Sequence, residues 1–268
     1  MAALEIYQLH DGYCYNTDSL ILADFTRAFL KPRISLLDVG AGSGILGMLC
    51  AREILNKATP HKNPHINLHL VEKDTLMAQC ASLNTRQFES KIHSQVHCVD
   101  FLDFHTDIKF DFVISNPPFY ANGALQGTNM RKNMARHQSF LPLPALLTHI
   151  KRMIKPNGSL CLCYDARELQ TLFYELRICG FNVDTLRFVH SLQDRESSLV
   201  VLRAKIQSKS PLRILPPLFT HNSTTQTDNT DELKAIYAWA KTQSIKITPN
   251  ELESLYKKNP KDIKNSRD

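Results

Sequence analysis

The run Phe181-Asn182-Val183-Asp184-Thr185-Leu186-Arg187-Phe188-Val189-His190, followed after a six-residue link by Ser197-Ser198-Leu199-Val200-Val201-Leu202-Arg203-Ala204-Lys205, decides the fold. Both segments are strand-like, and no helix separates them, so they must pair antiparallel. Upstream, from Asp18 onward, short β-rich runs alternate with longer amphipathic stretches, the pattern of helices packed on both faces of a mostly parallel sheet. The chain therefore reads as one α/β domain whose sheet ends in an antiparallel hairpin.

Working back from that hairpin, helices are predicted over Asp18–Leu30, Ser43–Lys57, Thr75–Gln87, Leu143–Ile154 and Ala166–Cys179. Strands are predicted over Ile34–Val39, Ile66–Val71, His93–Val99, Phe110–Ser115 and Ser159–Tyr164. Ile34–Val39 is almost continuously apolar, as a strand covered on both faces should be. Lys155-Pro156-Asn157-Gly158 is turn chemistry between a helix and a strand. Beyond Ile206 a proline-rich piece and the polar tract Ser223–Thr230 give way to two predicted short helices. Asp231–Lys241 has apolar residues at helical spacing, and Thr248-Pro249-Asn250-Glu251 has the order of a capping box. The basic end, Lys257–Asp268, is expected to fray.

Leu37-Asp38-Val39-Gly40-Ala41-Gly42-Ser43-Gly44 stands where a strand passes into a helix. Glycines there admit positive φ and close backbone approach, and the helix N-terminus adds a positive field for a ligand. Gly42–Gly47 also satisfies the dinucleotide pattern G-x-G-x-x-G, so a nucleotide-dependent oxidoreductase is a competing reading from another class. The register D-x-G-x-G-x-G resembles that of methyltransferases that bind S-adenosylmethionine. A sheet closing in an antiparallel hairpin is likewise the arrangement of class I methyltransferases, whereas dinucleotide-binding dehydrogenase domains continue with another crossover helix.

Glu72 follows the second strand, where a carboxylate can accept from both hydroxyls of a ribose. Asp100 ends the third strand, placed to accept from an adenine amino group while its neighbour Phe101 lies along the purine. Asp38, Glu72 and Asp100 all fall at carboxyl ends of strands, the edge at which open α/β sheets bind ligands.

Ser115-Asn116-Pro117-Pro118-Phe119-Tyr120 follows the fourth strand. Two prolines fix the backbone and remove two donors, so carbonyls and the Asn116 amide are presented rigidly to something that donates. An exocyclic amine suits such a site. Its lone pair is delocalised into the ring, and acceptors gripping its hydrogens bias the nitrogen toward the tetrahedral geometry that attacks a methyl group. Phe119 or Tyr120 can stack on an extruded base, worth roughly 1–3 kcal/mol.

Together these motifs resemble the amino-methyltransferases acting on adenine N6, guanine N2 or glutamine amides; Phe119 in place of tyrosine argues mildly against glutamine. Further segments are similar to the bacterial tRNA1(Val) (adenine(37)-N6)-methyltransferase family: Asp11-Gly12-Tyr13, Thr17–Phe25, Ala135-Arg136-His137, Arg195-Glu196-Ser197-Ser198 and Ile214–Leu218. The likeness runs to about Tyr237 and departs at Tyr15, where phenylalanine is expected, and in the tail. It implies a Rossmann-like, seven-stranded sheet with an antiparallel last strand, a catalytic domain over residues 1–206 and a small, partly flexible extension over 207–268. It also implies S-adenosylmethionine as cofactor and tRNA as partner. Asn116, Pro117, Pro118 and Phe119 would be catalytic. Asp18, Asp38, Gly40, Gly42, Gly44, Glu72, Asp100 and Phe101 would bind the cofactor, with Asp18 and its neighbours covering its methionine end.

Composition bounds these readings. The chain has 268 residues, 43% of them hydrophobic and 22% charged, and its longest apolar stretches fall far short of the roughly 18 residues of a membrane span. With no basic-then-apolar leader before Glu5, it reads as cytoplasmic, and a monomer is expected. Seven cysteines without C-x-x-C spacing indicate neither a disulfide framework nor a metal cluster. Cys161 and Cys163 share one face of a strand and read as packing; His61, His65 and His69 read as surface histidines. The net charge of +6 is uneven: residues 1–116 carry 10 Lys and Arg against 13 Asp and Glu, and residues 117–268 carry 22 against 13. The basic surplus begins where an RNA would arrive, with Arg131, Lys132, Arg136 and His137, beside Tyr120, as substrate contacts, although Lys234–Arg267 supply eight of those positive charges.

Overall fold

Leu36, Leu37 and Val39 are wholly buried because the strand that carries them, β2 (Arg33–Val39), lies inside the sheet with parallel neighbours on both sides. Successive side chains leave a strand on opposite faces, so Leu36 enters one apolar cluster and Leu37 another. The computed structural model describes residues 3–10, 14–57, 64–88, 91–117, 141–225 and 227–257.

The strands β3 (His65–Glu72), β4 (His93–Cys98), β5 (Phe110–Ser115), β6 (Ile154–Asp165), β7 (Phe181–His190) and β8 (Ser197–Ile206) complete the predicted sheet. Two short strands, β9 (Arg213–Ile214) and β10 (Leu218–Phe219), lengthen it to nine by pairing parallel with β7. The order is β10-β7-β8-β6-β5-β2-β3-β4, and β8 alone runs antiparallel, against both β6 and β7. The sheet is thus a mostly parallel α/β sheet with the expected antiparallel hairpin, and its two strands beyond the seven predicted both lie along the outer edge of β7.

Helices α1 (Thr17–Arg27), α2 (Ile45–Lys57) and α3 (Thr75–Thr85) cover one face, and α4 (Leu143–Met153) and α5 (Leu169–Ile178) the other. Asn16 caps α1 by accepting from the Ser19 amide, and Asp74 caps α3 by accepting from Leu76 and Met77. The predicted 166–179 helix opens as a 3₁₀ turn, Ala166–Glu168, which Asp165 caps by accepting from the Arg167 amide. The turn expected at Lys155–Gly158 sits inside β6. Phe110 pairs with Ile154 ahead of an irregularity in the ladder, and Asn157 takes φ +61°.

Both C-terminal helices form. The first, α6 (Asp231–Ala240), is capped by Thr230, and its Trp239 donates to Glu53 of α2 while Arg52 donates to the Trp239 carbonyl. The second, α7 (Pro249–Lys257), carries the predicted box: Glu251 accepts from the Thr248 amide at 2.7 Å and the Glu251 amide donates to Thr248 Oγ1 at 3.3 Å. Between them β11 (Thr242–Ile247) pairs parallel with β1 (Leu4–Leu9), in register from Leu4↔Thr242 to Leu9↔Ile247. No helix of the described residues is long and apolar enough to cross a membrane.

Candidate active site

Four strand ends build one cleft. Gly40 and Gly42 follow β2, Glu72 ends β3, Asp100 and Phe101 follow β4, and Asn116 and Pro117 follow β5; all line the same cavity. Ser19 and Tyr15 of the N-terminal segment and Met77 of α3 close its other side. This is the carboxyl edge of a parallel sheet, where loops diverge and leave a crevice.

The glycine loop is held from both ends. Gly40 has φ +67° and open space where a Cβ would sit, so the backbone can approach a ligand. Gly44 has φ +85°, and a Cβ there would come within 2.9 Å of Leu70 Cδ2; it serves helix–sheet packing and does not line the cleft. Asp38 likewise lies behind the loop. It is completely buried, and its Oδ2 accepts from the Gly47 amide at 2.8 Å, fixing where α2 begins. Its Oδ1 has no hydrogen-bond partner among the described residues. Burial, with the Glu72 carboxylate nearby, pushes the Asp38 carboxyl up to about 7 against the bond from the Gly47 amide.

Glu72 ties the loop to β3, accepting from the Gly42 amide at 2.9 Å through Oε2 and from the Asp74 amide at 2.8 Å through Oε1. Burial raises its pKa against those bonds. Each carboxylate oxygen keeps a lone pair, so two hydroxyls can still be bound. Asp100 spends Oδ1 on the Leu102 amide, and its Oδ2 lies 3.7 Å from Lys73 Nζ. The Phe101 ring is buried edge-on against His149. Two carboxylates, a glycine-lined floor and an aromatic side chain fit a nucleoside with free ribose hydroxyls; S-adenosylmethionine meets that description. Asp18 is half-buried outside the lining residues, and burial raises its pkₐ against a hydrogen bond from Asn16. Ser19, its neighbour, is the residue that faces the cleft.

Asn116 is gripped on both sides of its amide. Nδ2 donates to Ser19 Oγ at 3.1 Å, and the Cys163 thiol donates to Oδ1 at 2.7 Å. The register explains the meeting: Ser115 pairs with Leu162, so the next residues along β5 and β6, Asn116 and Cys163, arrive together. Ser115 is pinned in turn, its hydroxyl donating to the Val39 carbonyl at 2.9 Å. Tyr15, Met77 and Cys163 escape sequence reasoning, and Ser19 enters it only as an unnamed neighbour of Asp18. For Cys163 the signal was present, in the end of a strand beside the Asn116 strand, but same-face packing explained it equally well.

Pro118, Phe119, Tyr120, Arg131, Lys132, Arg136 and His137 lie outside the described residues, as do Asp11–Tyr13 and His61. His69 corrects the surface reading. It is buried, 3.0 Å from His97 through Nδ1 and edge-on to Phe110, and burial with a second imidazole beside it brings its pKa down to about 4.

Residues 17–164 match the family described as Methyltransferase small domain. A tRNA1(Val) (adenine(37)-N6)-methyltransferase of Aliivibrio fischeri strain MJ11 is 25% identical over 195 residues, 73% of this chain and 78% of that protein. The protein of the same name from strain ES114 is 31% identical over 147 residues, but these span only 58% of its length and 55% of this chain. Among solved structures, a protein described as a class I S-adenosylmethionine-dependent methyltransferase from Listeria monocytogenes superposes with a TM-score of 0.53 at 15% identity, covering 84% of this chain and 70% of that one. At that identity the likeness speaks for the fold, and the match over residues 17–164 speaks for the family: the chain belongs to the methyltransferase small domain family.

Proposed function

We propose that this protein transfers a methyl group from S-adenosylmethionine to the exocyclic N6 of adenine in tRNA, at adenosine 37 of a valine tRNA. The observation that carries the reading is the placement of Asn116. Its amide stands in the same cleft as Gly40, Glu72 and Asp100 and is oriented by Ser19 and Cys163. The names of the Aliivibrio fischeri relatives supply the acceptor.

Bound S-adenosylmethionine would supply an electrophilic methyl group. Glu72 would accept from the ribose hydroxyls and Asp100 from the adenine amino group, with Phe101 along the purine. Gly40 and Gly42 would let the backbone approach, Asp38 and Gly44 would hold their loop from behind, and Asp18 would act near the amino-acid end. Asn116 Oδ1, with the carbonyl of Pro117, would accept the hydrogens of the target amine and turn its lone pair toward the methyl group. Positioning of this kind needs no strong base. Pro118 and Phe119 would complete the loop, and Tyr120, Arg131, Lys132, Arg136 and His137 would meet the extruded nucleotide and its phosphates.

We assign catalysis to residues 1–206, a bracing role to 207–268, and place the enzyme in the cytoplasm as a monomer. Methyl transfer to a purified tRNA pool followed by nucleoside analysis tests the reading. New N6-methyladenosine is expected; a pool left unmodified by folded, cofactor-binding protein overturns it.

A further inference from the structure

We infer that Cys163, working with Ser19, is a positioning residue that decides which end of the Asn116 amide faces the target amine. The inference rests on the methyl-transfer reading and goes beyond it, because neither residue belongs to the Asn-Pro-Pro-Phe loop.

An asparagine amide has two nearly isosteric ends of opposite function, an acceptor oxygen and a donor nitrogen. Only the oxygen can receive an amine hydrogen. Rotated by half a turn, the same side chain would set donor against donor and repel the base it is meant to hold. Ser19 Oγ receives Nδ2, but a hydroxyl both donates and accepts, so it would satisfy either orientation. The Cys163 thiol breaks the tie. It donates to Oδ1 and is a poor partner for an N–H, so it favours the catalytic orientation. The oxygen has two lone pairs; the thiol takes one and leaves the other for the substrate.

The thiol is suited to remain a donor. Cys163 is wholly buried in β6, and burial, with Asp18 nearby, drives its pKa well above the usual thiol value. A thiolate would reverse the preference by accepting from Nδ2. Its neighbour two residues back, Cys161, is equally buried in the same apolar cluster, but it is Cys163 whose thiol reaches the Asn116 amide. One residue out of an apparent packing pair thus meets the reacting loop, and the β5–β6 register selects which.

The test uses the full chain, a tRNA substrate and saturating S-adenosylmethionine, with single-turnover methyl transfer and S-adenosylhomocysteine affinity measured for each variant. Cys163→Ala removes the donor and is expected to slow transfer about tenfold, the effect of losing roughly one hydrogen bond, with cofactor affinity within about twofold of wild type. Cys163→Ser keeps a donor but adds a good acceptor that also tolerates the rotated amide, so it is expected to recover only part of the rate, between Cys163→Ala and wild type. In an Asn116→Ala background, Cys163→Ala is expected to change the residual rate by less than about twofold, since there is no amide left to orient. Wild-type rate in Cys163→Ala, no recovery in Cys163→Ser, or equal losses in both backgrounds each overturn the inference while leaving the function standing. A wild-type protein that transfers no methyl group overturns the function itself, and this inference with it.

Discussion

Tyr15 Oη donates to Thr242 Oγ1 at 2.9 Å across 227 positions of chain, and two residues from Tyr15 the hydroxyls of Thr17 and Tyr237 meet at 2.9 Å. Both contacts tie the segment that faces the cofactor cleft to the C-terminal extension. The Tyr15 hydroxyl, which the phenylalanine expected from the family resemblance would lack, is the atom the extension holds. Beneath it Gln8 links the same parts, its Nε2 donating to Ser244 Oγ while its Oε1 accepts from the Tyr15 amide.

That brace predicts a defect in binding. The double variant Tyr237→Phe with Thr242→Val removes two hydrogen bonds and little volume, so the segment bearing Ser19 should be held less firmly. At about 0.5–1.5 kcal/mol per bond, S-adenosylhomocysteine affinity measured by calorimetry should fall between a few-fold and about a hundredfold. An unchanged affinity would mean that the extension braces nothing the cofactor uses.

Asn116→Ala should remove transfer while sparing the cofactor. Among the described residues the Asn116 amide bonds to Ser19 and Cys163 and to none of the glycine loop, and it is placed for the acceptor amine. A fall of about 10²–10³ in rate, comparable to removal of one preorganised polar group at a reacting centre, is expected at near-normal S-adenosylhomocysteine affinity. Retained turnover would contradict the role.

Local pattern reveals much of this fold. Phe110–Ser115 and Phe181–His190 take the strand limits read from their residues, because each is a short β-rich run between turn signals. The Thr248–Glu251 box is equally local, a contact across three residues. Leu4–Leu9 and Thr242–Ile247 are different. Each is a weak six-residue strand whose only sheet partner among the described residues is the other, and no local pattern joins residues so far apart. The site divides in the same way. Glu72, Asp100 and Asn116 are legible because each follows a recognisable strand, while Ser19 and Cys163 matter through the neighbours that the register gives them. Asp38 and Gly44 are legible as a motif, yet they serve it from behind, a distinction that depends on which way each faces.

Gly44→Ala should cost stability more than chemistry. The residue sits at φ +85°, and the added Cβ would meet Leu70 Cδ2 at 2.9 Å and Ala81 Cβ at 3.5 Å. Left-handed backbone costs an alanine about 1–2 kcal/mol, and the crowding at Leu70 adds to it. Urea unfolding should show a loss of about 2–3 kcal/mol. A loss below 1 kcal/mol would mean that the loop can rearrange.

Two buried titrating groups should shape stability against pH with opposite signs. Asp38 is raised from its usual value to about 7 in the folded chain, so between roughly pH 4 and 7 the folded state holds a proton that the unfolded chain has released. That contribution is present below pH 4 and is lost as pH rises through about 7. His69 is lowered to about 4, so between pH 4 and 6.5 the unfolded chain holds the extra proton, and stability is lost as pH falls through that window. Relative to wild type, Asp38→Asn should therefore become steadily less destabilised, or more stable, as pH rises from 4 to 7, by up to about 1.4 kcal/mol per pH unit. His69→Phe should gain on wild type in the opposite direction, as pH falls from 6.5 to 4. Urea unfolding of the three proteins at intervals across this range separates the two effects. A constant offset between wild type and Asp38→Asn would mean that Asp38 is ionised in the fold throughout, with a second donor reaching its Oδ1.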